Sequence, residues 1–113
     1  SMGAARTARA AIDQATGLPA LCAALTNYIA DRTSRAAGTV TRGQAATLAR
    51  EAGADEALCS RLDALLAAGE RVAFAPAQGS DATARRAEAT EVLHLLDRLR
   101  WRRKAAETLE VTT

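Results

Sequence analysis

Leu58, Leu62, Leu65 and Leu66 fall on one face of a helix drawn from Asp55 to about Arg71. This i, i+4, i+7, i+8 spacing is the buried stripe of an amphipathic helix and constrains the chain more than any other feature. The same spacing appears earlier, where Leu18, Leu21, Cys22, Leu25, Tyr28 and Ile29 mark a helix from about Pro19 to Arg32. Composition points the same way. Alanine makes up roughly a quarter of the chain, only 3% of residues are aromatic, and valine and isoleucine are few. Alanine loses no side-chain entropy in a helix, and strands would find little here to pack with. Alanines bury little area each, so the leucines must carry the core. The expected fold class is all-α, a small helical bundle of four to five helices with a long C-terminal helix.

Punctuation residues divide the chain. Residues 5–16 are Ala-rich with Ile12 as their one large apolar side chain, which predicts a helix that frays unless it is docked. The stretch "TGLP" breaks it, and Pro19 suits the first turn of the next helix. A loop, "RTSRAAGTV", follows. Thr41 with Gln44 has capping-box spacing at the head of the third helix, and Gly53 suits its C-terminal cap. Asp55 opens the fourth helix, and Pro76 with "AQGS" stops it. Asp81 is a candidate cap for a last helix from about Ala82 to Leu109.

The length of 113 residues suits one core. Ser1 and Met2 read as a cloning remnant and residues 3–113 as a single helical domain, expected to be a soluble piece of a longer membrane protein. No apolar run approaches the ~20 residues that cross a bilayer. The formal net charge is +2, with acids and bases interspersed, so bulk charge does not announce a polyanion partner. Cys22 and Cys59 stand in no metal or redox spacing and are expected to be reduced, small buried hydrophobes.

No constellation for chemistry is legible. His94 is the single histidine and falls opposite the leucine stripe of its helix, where a solvated role is expected. The glycines are scattered singly, with no phosphate loop, and the acids never reach zinc or EF-hand spacing. The expectation is a non-enzymatic chain with no cofactor and no metal.

Two binding readings remain. In "LAREAGADEALCSRL", residues 48–62, the Ala52-Gly53 turn resembles a bacterial repressor's helix-turn-helix. Ser60 and Arg61 would then be the DNA readers. Asp55 and Glu56 place negative charge where phosphates would approach, and Leu58 belongs to the apolar stripe. Nucleic acid is therefore the secondary reading.

The second reading rests on residues 24–76. Tyr28 lies in a helix ending "YIADR"; a loop and a Thr41-opened helix follow; then come Gly53 and a leucine-rich helix ending "GERVAFAP", with Glu70, Phe74, Ala75 and Pro76. This stretch resembles the C-terminal cytoplasmic region of the Bacteroides aerotolerance (BatD) and oxygen-tolerance family. The resemblance implies a helical interaction or scaffolding domain at the cytoplasmic face of the inner membrane. Its implied partners are proteins, namely MoxR-type AAA+ ATPases and von Willebrand A domain proteins, and it supplies no catalytic residues.

The most distinctive short run is "RLRWRRK", residues 98–104. If the last helix continues to Leu109, Val92, Leu95, Leu96, Leu99 and Ala106 form its buried face. Trp101 then lies nearly opposite, flanked by Arg98, Arg100, Arg102 and Lys104, with Arg103 on the core side. These expectations describe a helix end projecting past the core. Arg98, Arg100, Trp101, Arg102 and Lys104 form the candidate interaction surface, for a protein partner or an anionic membrane.

Overall fold

A computed structural model describes residues 2–74 and 82–101. The described residues form five α-helices and no strand: α1 (Met2–Gln14), α2 (Leu18–Arg32), α3 (Arg42–Glu51), α4 (Glu56–Phe74) and α5 (Ala82–Asp97). The protein is an all-α helical bundle, as the leucine spacing and composition require.

Helix α2 is the central element and packs against all four others. Its Leu21, Leu25, Tyr28 and Ile29 are buried. They meet Leu58, Leu62, Leu65 and Leu66 of α4 and Val92, Leu93 and Leu96 of α5 in one core. Each such large side chain contributes roughly 1.5–3 kcal/mol when fully buried. Helix α1 adds Ala4, Ala8 and Ile12, with Ala15 just beyond its end. It is docked on α2 and α5.

Local chemistry explains most of the helix ends. At the head of α3, the Gln44 amide donates to Thr41 Oγ1 at 3.2 Å. The Thr41 amide donates back to Gln44 Oε1 at 3.0 Å, completing the capping box. The other end closes on Gly53 at φ 111°. Ala54 donates to the Ala49 carbonyl and Gly53 to that of Arg50, both at 3.0 Å, which is a Schellman closure. Asp55 starts α4 as expected, accepting the Leu58 amide at 2.8 Å.

Helix α2 ends in the same closure without glycine. Arg35 donates to the Ala30 carbonyl at 2.8 Å, and Ser34 occupies the left-handed position at φ 60°. Beneath it the buried Thr33 hydroxyl donates to the Ile29 carbonyl at 2.7 Å.

Helices α2 and α4 cross closely at Gly69. A β-carbon there would lie 2.5 Å from Cys22 Sγ, so any larger residue would force the sulfur or the helices to shift. Both cysteines are free thiols, Cys59 buried and Cys22 half-buried.

The expected last helix, Ala82 to Leu109, differs from the observed one: α5 stops at Asp97, followed by a turn at Arg98 and Leu99. The Leu96 carbonyl takes the Leu99 amide at 3.1 Å, while the Arg100 amide leaves the helix for the Ala52 carbonyl at 3.0 Å. A contact with the α3–α4 turn thus replaces the next helical hydrogen bond. The expected stop at Pro76, the cap at Asp81, and Arg102, Arg103, Lys104, Ala106 and Leu109 lie outside the described residues. Among the described residues no helix is long and apolar enough to cross a membrane.

Candidate functional site

The C-terminal ends of α2 and α5 meet beside the α3–α4 turn, and the described part of the basic run sits at this corner. Tyr28 and Arg32 are one turn apart on α2, so their side chains leave the helix on the same side. Both reach Asp97, the last residue of α5. Tyr28 donates its hydroxyl to Asp97 Oδ1 at 2.6 Å, and Arg32 Nη1 donates to the same oxygen at 3.2 Å. The Arg32 guanidinium also sits 5.8 Å from the Tyr28 ring centroid. Burial drives the Tyr28 phenol well above its ordinary pKa, and the hydrogen bond to Asp97 adds to the shift.

Trp101 completes the corner. Its indole Nε1 donates to the Leu96 carbonyl at 2.9 Å. Its ring meets that of Tyr28 edge to face, with centroids 6.0 Å apart and planes at 83°. Trp101 is therefore half-buried against the core, not opposite it on a projecting helix. The helical-wheel expectation fails because the chain leaves the helix at Asp97 and turns the indole inward.

Arg98 and Arg100, on either side of the turn, are exposed. Neither is in a salt bridge among the described residues, whereas Arg32, Arg42, Arg50 and Arg61 each have at least one. Arg102 and Lys104 lie outside the described residues. The corner thus presents two guanidiniums without a salt-bridge partner among the described residues, from a turn anchored by an aromatic pair.

The helix-turn-helix residues are placed differently. Ser60 is exposed. Arg61 points along the bundle to α5, where Nη2 donates to Glu91 Oε1 at 2.9 Å. That hydrogen bond holds the Glu91 carboxyl below its ordinary value. Leu58 is buried with the rest of its stripe. Arg61 would have to leave Glu91 to read a base.

His94 is exposed on α5. Among the described residues no group of three or more His, Cys, Asp or Glu side chains could hold a metal. Burial raises the Cys22 thiol from 9 to about 11, which leaves it protonated and a poor nucleophile at neutral pH. An open groove of about 370 Å³ runs between α1 and α2, lined mainly by alanines with Thr7, Gln14 and Asn27.

The basic run marks Arg98, Arg100 and Trp101 in the sequence, but nothing local marks Tyr28, Arg32 and Asp97 as their support. The spacing of Tyr28 and Arg32 was visible on α2. Their partner lies 69 residues beyond Tyr28 and carries no local signal.

No family model, curated protein or solved structure matches the chain.

Proposed function

We propose that this chain is a non-enzymatic protein-interaction or scaffolding module. On this reading it is the cytoplasmic helical part of a BatD-like membrane protein that works beside a MoxR-type AAA+ ATPase and von Willebrand A domain proteins. The observation that carries the interaction role is the pair Arg98 and Arg100. Both are exposed and without a salt-bridge partner among the described residues, on a turn held by Trp101. A turn already fixed removes the backbone part of the ordering cost of a contact, and the planar guanidinium fork can pair bidentately with a partner's carboxylates, so the pair suits a protein contact.

The residues behind the family resemblance also occupy structural positions. Tyr28 lies in the C-terminal half of α2, Thr41 caps α3, Gly53 closes it, and "GERVAF" ends α4.

The test is calorimetric titration of the chain against the MoxR-type ATPase and the von Willebrand A domain proteins of the same genome. The reading expects saturable binding to at least one, weakened about tenfold or more by Arg98→Glu with Arg100→Glu. No binding at about 100 μM would overturn it. Anionic vesicles and random duplex DNA are the comparison ligands. Salt-steep binding to duplex lost with Arg61→Ala would move the assignment to the helix-turn-helix reading.

A further inference from the structure

We propose that α1 is a displaceable cover helix, latched to the bundle by Arg86 and able to release while the other helices stay folded. The first observation is how small most of the apolar side chains are that hold it. Helix α1 sets Ala4, Ala8 and Ile12 against α2 and α5. Among the described side chains of α1 one isoleucine is the only large buried one, whereas α2 buries two leucines, a tyrosine and an isoleucine. The second is that its sequence does little to stabilise it alone. It has no acidic residue in its first turn and no basic residue in its last. The one ion pair it makes among the described residues, Arg9 with Asp13 at 3.4 Å, is exposed and has the basic member first, the weaker orientation. A 13-residue helix of this kind is marginal in water.

The third observation identifies the latch. Two carbonyls at the C-terminal end of α1, that of Ile12, which also takes the Ala15 amide at 3.2 Å, and that of Ala15 just past the helix, accept from another element. Arg86, near the start of α5, donates Nε to the Ile12 carbonyl at 3.3 Å and Nη2 to the Ala15 carbonyl at 2.7 Å. A guanidinium at a helix C-terminus also opposes the negative end of the helix dipole. The hinge follows at once, through Thr16 and the extended Gly17 before α2. Helices α2 and α5 keep their own link through Tyr28, Arg32 and Asp97 at the opposite end of the bundle. Release of α1 therefore uncovers the α2–α5 flank on which Ile12 rests without undoing that link. Access to this flank is set by a local equilibrium, which Arg86 biases toward closed.

Native-state hydrogen exchange on the full chain tests the device. The amides of residues 6–14 should exchange at least about tenfold faster than those of residues 25–30, through an opening whose denaturant slope is measurable but well below that of α2. Arg86→Met keeps the aliphatic stem and removes the donors. It should speed exchange in α1 by about tenfold more and leave α4 unchanged. The proposal is overturned if wild-type α1 amides exchange with the free energy and denaturant slope of α2, or if Arg86→Met accelerates every helix equally.

Discussion

The rings of Tyr28 and Trp101 meet edge to face at 6.0 Å, tying the turn that follows α5 to the C-terminal half of α2. Trp101 also serves as a helix cap, because its indole nitrogen satisfies the Leu96 carbonyl. The arginines beside it are therefore presented from a fixed turn. The same contact makes Trp101 a stability residue as well as a landmark of the candidate surface.

Trp101→Ala is expected to destabilise the bundle by about 2–3 kcal/mol, below the ~3–5 kcal/mol of a fully buried aromatic because the indole is half-exposed. Trp101→Phe retains ring packing and loses the hydrogen bond, for a cost of about 1 kcal/mol. Urea denaturation followed by circular dichroism measures both. A loss under ~0.5 kcal/mol for Trp101→Ala would mean the indole does not hold the corner.

Gly69→Ala should cost about 1–3 kcal/mol, since the added methyl collides with Cys22 Sγ and forces α2 and α4 apart. The sulfur can rotate away only by giving up its contact with the Leu65 carbonyl at 3.3 Å. Combining Gly69→Ala with Cys22→Ala should recover most of the loss. A double-mutant coupling below ~0.5 kcal/mol would show that the two positions are independent.

Ser34→Gly should stabilise the protein by about 0.5–1 kcal/mol. Serine at φ 60° carries a Cβ penalty that glycine lacks, and the extra entropy of glycine in the unfolded chain offsets only part of that gain. Ser34→Val should move stability the opposite way. Thermal melts at matched concentration decide the sign.

Alkaline pH should unfold the protein through groups that the fold keeps neutral. Burial raises the Cys22 thiol to about 11, raises Cys59 as well, and raises Tyr28 with help from Asp97. A folded-state value above the unfolded one means stability is fully present below the unfolded value and is lost as pH rises toward the folded one. The unfolding free energy should therefore hold to about pH 8 and decline from about pH 9 upward. Cys22→Ala should make the decline shallower between about pH 9 and 11, and Tyr28→Phe should flatten it above about pH 10. Stability that stays constant to about pH 11 in the wild type would contradict the burial of these groups.

Several elements could be read from residues a few positions apart. Thr41, Gln44 and Gly53 set both ends of α3 through contacts within five residues. The leucines of α2 and α4 turned inward because a 3.6-residue period leaves them no other common side. The all-α class follows from that period and the alanine content.

What only the tertiary structure decided lies in pairings distant along the chain. No glycine or proline follows Asp97, and Leu99 continues the apolar stripe, so local rules extended α5 past Trp101. The helix stops because the Ala52 carbonyl takes the Arg100 amide and the Leu96 carbonyl takes the Trp101 indole. Arg86 reaches the end of α1 across more than seventy positions, and Tyr28 meets Asp97 across nearly as many. Helical periodicity and caps are encoded by neighbours a turn apart, so sequence alone determines them. A carbonyl's partner, by contrast, depends on which helix the folded core brings alongside it.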